Sequence, residues 1–490
     1  MSHTQGCIRG VYSVRMRLSN FVYAPRAGFF AVFTVLASGM SRFTSLFLRE
    51  RFLDDAAVGV ALGISSLSIV AVPLVTALAD KFAHDRAIVL LVMTFVGTVL
   101  VLMQGLVDLG IITASAAPIY LAINRLFISS SLAPQIPVLD ALAVEGSLEV
   151  ENYGHERLWG AVSWGIWHLL MGGLIDLTGS TFVIFYLAIL SAILYIPLLL
   201  VWRQKQMKEK NNKEDEKEKD EEEENTITST KTSNPRITQL LRQQVVFAFS
   251  KVHITCFLID IFVLSAGTSV VEGLLFLFFT TSLKASCFLL GCTVVMTVLF
   301  EIPLFAMSDK IMKKFSTTQL MVVAHLAYGL RVFGYTWIPS EMPYLILLLE
   351  PLHGVTFALK QLVSVTVVAR IAKPGFKNSA QGVVTTVVSL GGLTGSVVGG
   401  FVLKYQGPTV LYRGAGGLVL LAGALYVLSD KWCGRDGNDV SGQEIEKGAC
   451  VEMREEDRNS VADKVIEVAV DNEDVSEITE KKLKDMHKDT

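Results

Sequence analysis

Apolar and polar positions alternate along this chain in blocks the length of whole helices. Runs of about 20 apolar residues, enough for an α-helix to cross a hydrocarbon core of ~30 Å, recur with short polar breaks between them. They fall near Ala27–Leu48, Ala57–Ala79, Arg86–Val107, Ser115–Leu139, Leu158–Ile175 and Thr181–Val201. A second set falls near Ile254–Thr281, Ser286–Met307, Thr318–Ile338, Met342–Ala369, Ala380–Leu403 and Val410–Leu428. The pattern predicts six spans, a long interruption and six more. The fourth, tenth and eleventh runs are long enough to tilt or to continue beyond the lipid.

The interruption, from Arg203 to Arg236, mixes charges of both signs with almost no apolar side chains. Such a stretch cannot bury enough surface to offset the entropy of ordering it. The expected organisation is a cytoplasmic N-terminal segment (1–26), a six-helix lobe (27–202), a flexible charged linker (203–242), a second six-helix lobe (243–430) and a disordered tail (431–490). An amphipathic pattern around Val461–Val470 is too short to count as an element. No cleavage-site pattern follows the first run, which is therefore read as a retained helix.

Composition sharpens the class. The chain is 51% hydrophobic and 18% charged, and much of that charge sits in the linker and tail, so the rest is depleted beyond what a water-soluble domain needs. This is the composition of an integral, all-α membrane protein. A net charge of −3 gives no footing for nucleic-acid binding. The six cysteines show no C-x-x-C spacing, so neither a metal site nor a disulfide framework is indicated, and no cofactor is expected. Lys and Arg set the orientation. Arg9, Arg15, Arg17, Arg26, Lys81, Arg86, Arg157, Lys310, Lys313, Lys314, Arg370, Lys373 and Lys377 fall on one side, against Arg49, Arg51, Lys284, Lys404 and Arg413 on the other. The bias puts both termini and the linker in the cytoplasm.

The two halves also carry the same marks in the same order. Ala-Leu-Ala-Asp80-Lys81-Phe after the second run, with Arg86 beyond it, is answered by Ala-Met-Ser-Asp309-Lys310-Ile after the eighth, 229 positions on. Gly172-Gly173 near the end of the fifth run is answered by Gly399-Gly400 near the end of the eleventh. Repeats in register are the signature of a two-lobed transporter. Asp80, Lys81, Arg86, Asp309 and Lys310 are read as gating-loop residues that latch helix ends.

Ionisable side chains inside spans cost several kcal/mol on insertion scales and are the first functional candidates. They are Arg42, Arg125 beside Asn124, His168, Asp260, Glu272, Glu301, Arg331, Glu350, His353 and Lys360. Glu350, His353 and Lys360 have helical spacing that puts them on one face with Phe357. Trp164 and His168 share a face too, suiting a ring-bearing solute or plain packing. Glu272, Glu301 and Glu350 serve transport or act as struts to Arg42, Arg331 or Lys360. Asp260, near a span end, is read as hydrated and structural. Both histidines remain open between proton carriers and satisfied core residues. No P-loop, H-E-x-x-H or G-x-S-x-G occurs, so ATP hydrolysis and proteolysis have no foothold and a proton is the economical driving ion.

Taken together, the six-plus-six pattern, central linker and Asp-Lys loops resemble the major facilitator superfamily, although Ala77 and Ala83 stand where glycines are usual and Lys81 where arginine is. Four stretches carry a narrower resemblance: Glu156-Arg157-Leu158-Trp159-Gly160 with Trp164-Gly165, Val271-Glu272-Gly273, Phe300-Glu301-Ile302-Pro303, and His353-Gly354-Val355-Thr356-Phe357-Ala358. They are similar to the lactose-permease-like and nucleoside-symporter-like branch, which also includes macrophage MHC class I receptor homologues. The resemblance implies two rocking lobes around one central site lined by spans 1, 4, 7 and 10, which here carry Arg42, Asn124, Arg125, Glu272, Glu350, His353 and Lys360. Arg42 departs from the expected apolar residue, so it either binds an anionic group or pairs with Glu272 across the lobes. The expectation is proton symport of a small polar organic solute such as a sugar, nucleoside or aromatic acid. A uniporter and a transporter-shaped receptor or scaffold, binding cytosolic partners through linker and tail, are the alternatives.

Overall fold

The computed structural model describes residues 25–52, 54–81, 85–146, 153–220, 252–371 and 377–432, and among them every regular element is helical. In the N-terminal half these are α1 (Pro25–Gly39), α2 (Thr44–Phe52), α3 (Asp55–Ser65), α4 (Ala71–Lys81), α5 (Arg86–Met103), α6 (Ala117–Leu132), α7 (Gln135–Gly146), α8 (Tyr153–Thr178) and α9 (Val183–Asp220). In the C-terminal half they are α10 (Val252–Thr281), α11 (Cys287–Ala306), α12 (Ser308–Lys314), α13 (Thr317–Tyr335), α14 (Pro351–Ile371), α15 (Lys377–Gln406) and α16 (Pro408–Trp432). Polar caps start several of them: Asp54 accepts from Ala56 N at 2.8 Å, and Ser316 and Gln319 form a capping box. Outward positions such as Ile119, Leu177, Tyr186, Ile193, Leu330 and Leu421 are exposed and apolar, as lipid requires and water would not tolerate.

Among the described residues, ten segments are long and apolar enough to cross a membrane. The fourth and ninth runs fall outside that set although both are helical. Pro134 lacks the N–H that a continuous helix needs, and the fourth run breaks there into α6 and α7. The ninth run, α13, is diluted by Gln319, His325 and Arg331. The first run is also not one helix: it unwinds over Met40–Phe43 between α1 and α2. At the other end of the half, α9 continues to Asp220 through the first part of the charged stretch, in place of the expected flexible linker. The Lys and Glu of this stretch are strong helix formers by type. Arg203 also ties the start of this extension to Asp85, at 3.0 Å. Residues 1–24, the remainder of the linker and the tail lie outside the described residues.

Within the N-terminal half, α1 packs on α8 and α9, and α3 on α6; within the C-terminal half, α10 packs on α15 and α16, and α13 on α14 and α16. The halves meet along two seams, α8 against α11 and α3 against α15. This explains the glycine repeat. A Cβ on Gly172 would strike the backbone carbonyl of Cys287 on α11, and one on Gly400 would lie 2.8 Å from the Cα of Gly59 on α3. Equivalent helices of the two halves thus cross the interface at equivalent points, and only glycine lets the backbones touch.

Both seams close at the face away from the linker. Asp176 of α8 accepts from the Cys287 and Phe288 N–H groups at 2.8 and 2.7 Å, capping α11 across the interface. Lys404 Nζ lies 2.8 Å from Asp54 Oδ2. The Lys404 ammonium, with the Ala56 N–H behind it, holds the Asp54 carboxyl below its ordinary value of 3.8. A depressed folded-state value means that the bridge contributes above that ordinary value and is lost as pH falls through the lower folded one. The pair is open to solvent, so Lys404→Ala is expected to lower stability only slightly. Thermal unfolding in detergent should give the same small difference from wild type across neutral pH, shrinking to nothing in strong acid.

Candidate functional site

The site is organised by the break in the first span. Ser41 Oγ accepts from Phe43 N at 3.0 Å, a side-chain bond that competes with helix continuation. Unwinding leaves the Gly39 carbonyl without a helical partner, and the buried Arg125 of α6 donates to it from Nη1 at 2.5 Å. His168 of α8, fully buried, holds the other side: Nδ1 is 2.8 Å from the Trp164 carbonyl and Nε2 3.3 Å from Ser41 Oγ. Since a carbonyl only accepts, the ring proton is on Nδ1, and Nε2 accepts from the serine. The Phe43 ring lies between His168, at 6.2 Å, and Phe276 of α10, at 4.9 Å.

These contacts aim Arg42 across the interface. Its Nη2 is 2.6 Å from His353 Nε2 on α14, and Glu272 Oε1 of α10 is 3.6 Å from the same nitrogen. Of the two readings of Arg42, the direct pair with Glu272 does not form; both side chains approach His353 Nε2 instead. Glu272 is 44% exposed although Val271 and Leu274 beside it are fully buried, so its carboxylate faces open space at the interface. Lys360, one face along α14, is buried with Nζ 3.4 Å from Thr268 Oγ1 on α10.

Glu350 is fully buried but parts company with His353. Glu350 sits at the junction of α14 with the 3-10 turn (Pro343–Leu348) that opens the tenth run, and the His353 N–H bonds its carbonyl at 2.9 Å, but its side chain does not join those of His353 and Lys360. It turns instead to Tyr335 Oη of α13, at 2.5 Å, and Thr297 Oγ1 of α11, at 3.1 Å. Thr297 has one proton and a second acceptor, the Thr293 carbonyl, also at 3.1 Å. Ionised, Glu350 accepts from both hydroxyls; with a proton, its Oε2–H donates to Thr297 and Thr297 to Thr293, so the network closes in either state.

The remaining candidates lie elsewhere. Asn124 Nδ2 donates to the Leu100 carbonyl at 3.2 Å, and so faces α5. Glu301 is partly buried near the end of α11, within electrostatic reach of Glu272, Arg42 and Arg157. Arg86 is buried at the start of α5 and Lys310 exposed on α12. Asp80, Lys81 and Asp309 fall on helix ends whose side chains lie outside the described residues. Asp260 is not hydrated: it is buried inside the C-terminal half, 2.9 Å from His325 Nε2 on α13. Sequence reasoning missed His325, Ser41, Tyr335 and Thr297. A serine after Gly39-Met40 was the one local signal for the break.

Arg125→Leu is expected to leave the Gly39 carbonyl buried and unpaired. Loss of a hydrogen bond to a charged group costs about 1.5–3 kcal/mol, so a lower unfolding midpoint should accompany loss of transport. Arg125→Lys should recover part of both.

Paired seams around a broken helix, with charged groups of both halves meeting between them in a lipid-facing shell, define a multi-pass membrane transporter of the two-lobed kind. The chain belongs to the MFS_1 like family, whose model matches residues 26–414. Similar solved structures include a single-site mutant of the nucleoside transporter NupG, with TM-score 0.65, 15% identity, and coverage of 82% of this chain and 98% of that one. The structure titled simply as nucleoside transporter NupG gives TM-score 0.62, 16% identity, and coverage of 83% and 98%. No curated protein matches the sequence.

Proposed function

We propose that this protein is a proton-coupled symporter of a small polar organic solute of nucleoside, sugar or aromatic-acid type, working by alternating access with the linker face in the cytoplasm. The carrying observation is Glu350, a fully buried carboxyl whose two hydroxyl partners are satisfied both with and without a proton on it. A carboxyl that can hold a proton near the interface of two lobes is what coupling requires, and Trp164, 4.4 Å from His168 by ring centroid and partly exposed, offers a surface for a ring. Similarity to nucleoside transporters supports trying nucleosides first. The positive-inside bias supports the orientation.

The test is uptake into proteoliposomes of radiolabelled uridine, glucose and benzoate, with the interior alkaline and then with no gradient. Gradient-stimulated uptake of one of them above empty liposomes is expected. Uptake indifferent to the gradient would make the protein a uniporter, and none across a broader panel would make it a non-transporting member of its family.

A further inference from the structure

The contact between Arg42 and His353 joins the two halves at their centre, and its chemistry allows only one protonation state of the histidine. A guanidinium donates and never accepts. The 2.6 Å bond from Arg42 Nη2 therefore needs a bare Nε2 on His353, with the ring proton on Nδ1, a buried atom that has no acceptor among the described residues. Glu272 Oε1 lies 3.6 Å from the same Nε2. A proton arriving at Nε2 turns an acceptor into a donor. It sets two cations against each other where a hydrogen bond stood, and it offers Glu272 a charge-assisted bond in exchange.

The exchange has a direction because the partners belong to different halves. Arg42 is in the unwound segment of the N-terminal half, whereas His353 and Glu272 both belong to the C-terminal half. Other charges around the histidine are fixed within the C-terminal half: Arg331 on α13, Lys360 and Glu350 at α14, and Glu301 on α11, which reaches Glu272 and Arg42 electrostatically. None of them bridges to the other half as Arg42 does. We propose that Arg42 is the coupling residue of this carrier: a proton on His353 moves the histidine from Arg42 to Glu272, unties the two halves at the centre, and frees the guanidinium for the solute. Arg42 Nη1, already buried without a partner among the described residues, gives the released side chain a second donor for an acceptor group of the solute. This rests on the transport reading above and adds to it the residue through which the proton acts.

The experiment needs no solute. Spin labels replace Ile111 and Trp337, exposed positions in loops of opposite halves at the face away from the linker, in a background without native cysteines. Their distance distribution is measured by pulsed electron resonance in nanodiscs from about pH 8 down to about pH 4, a range wide enough to titrate a buried histidine. In the unsubstituted site, the separated population should rise about fivefold or more on acidification, the range of an ordinary coupling energy. His353→Gln keeps an acceptor for Arg42 but cannot be charged, and Arg42→Gln removes the cation; each should abolish the pH response, while Arg42→Lys should keep part of it. A wild-type response that survives in either Gln variant overturns the proposal, as does a wild type whose distances ignore pH. Failure of the transport reading is separate: it would be a pH-dependent distance change in a protein that takes up nothing under a gradient.

Discussion

Gly400→Val is expected to stop net uptake and to drive the protein towards the form open at the face away from the linker. A Cβ at Gly400 meets the Asp55 carbonyl and the Gly59 Cα, each at 2.8 Å. Both are backbone atoms, so no side chain can swing aside and α3 and α15 must part. Overpacking of this kind costs about 1–3 kcal/mol, and a bias of that size shifts a two-state equilibrium roughly 5- to 150-fold. Labels at Ile111 and Trp337 should show the separated population dominant at every pH. The unmoved distance distribution of a folded variant would mean that the seam yields elsewhere and is not the gate. Gly172 and Gly291, whose added Cβ atoms would meet the backbones of Cys287 and of His168 and Leu169, are the corresponding points on the α8–α11 seam.

Glu350→Gln is expected to abolish uphill uptake while sparing solute exchange at equal concentrations. Glutamine matches the protonated carboxyl in shape, and its carbonyl accepts from Tyr335 while its amide donates to Thr297, leaving Thr297 free to donate to Thr293. The fold should therefore hold, and what disappears is only the ability to give the proton up. Gradient-driven accumulation should fall to the level of empty liposomes, and counterflow should persist within about an order of magnitude of wild type. Accumulation equal to wild type would remove Glu350 from the mechanism.

Much of this was legible in the sequence because membrane burial is read from length and hydropathy alone. A run of apolar residues has few alternatives in lipid, and the repeated glycines marked the seams because only backbone contact demands glycine at both of two related positions. The candidate residues were legible by type and not by partner. Arg42, Glu272 and His353 announced themselves as charges in apolar runs, yet spacing cannot reveal that the other two both approach His353 Nε2, since that geometry depends on how the halves dock. Glu350 and His353 looked like neighbours on one face, yet Glu350 stands just ahead of α14 and its side chain is taken by the Tyr335 and Thr297 hydroxyls of other helices, partners that spacing cannot reveal. Arg125 looked like a binding residue because a buried guanidinium is rare, whereas its partner is a carbonyl freed by a break that Gly39, Ser41 and Arg42 scarcely signal. Asp260 looked hydrated because its partner, His325, is far away in the chain.

The central claim is that a proton moves with the solute through a site shared by the two lobes, and the most direct measurement is the steady-state accumulation of the transported solute against an imposed pH gradient. One pH unit is worth 1.36 kcal/mol, about a factor of ten in concentration, so a neutral solute carried with one proton should accumulate up to about tenfold for each unit of gradient and equilibrate when the gradient is collapsed. A solute that equilibrates at the same level inside and outside at every imposed gradient would contradict the account.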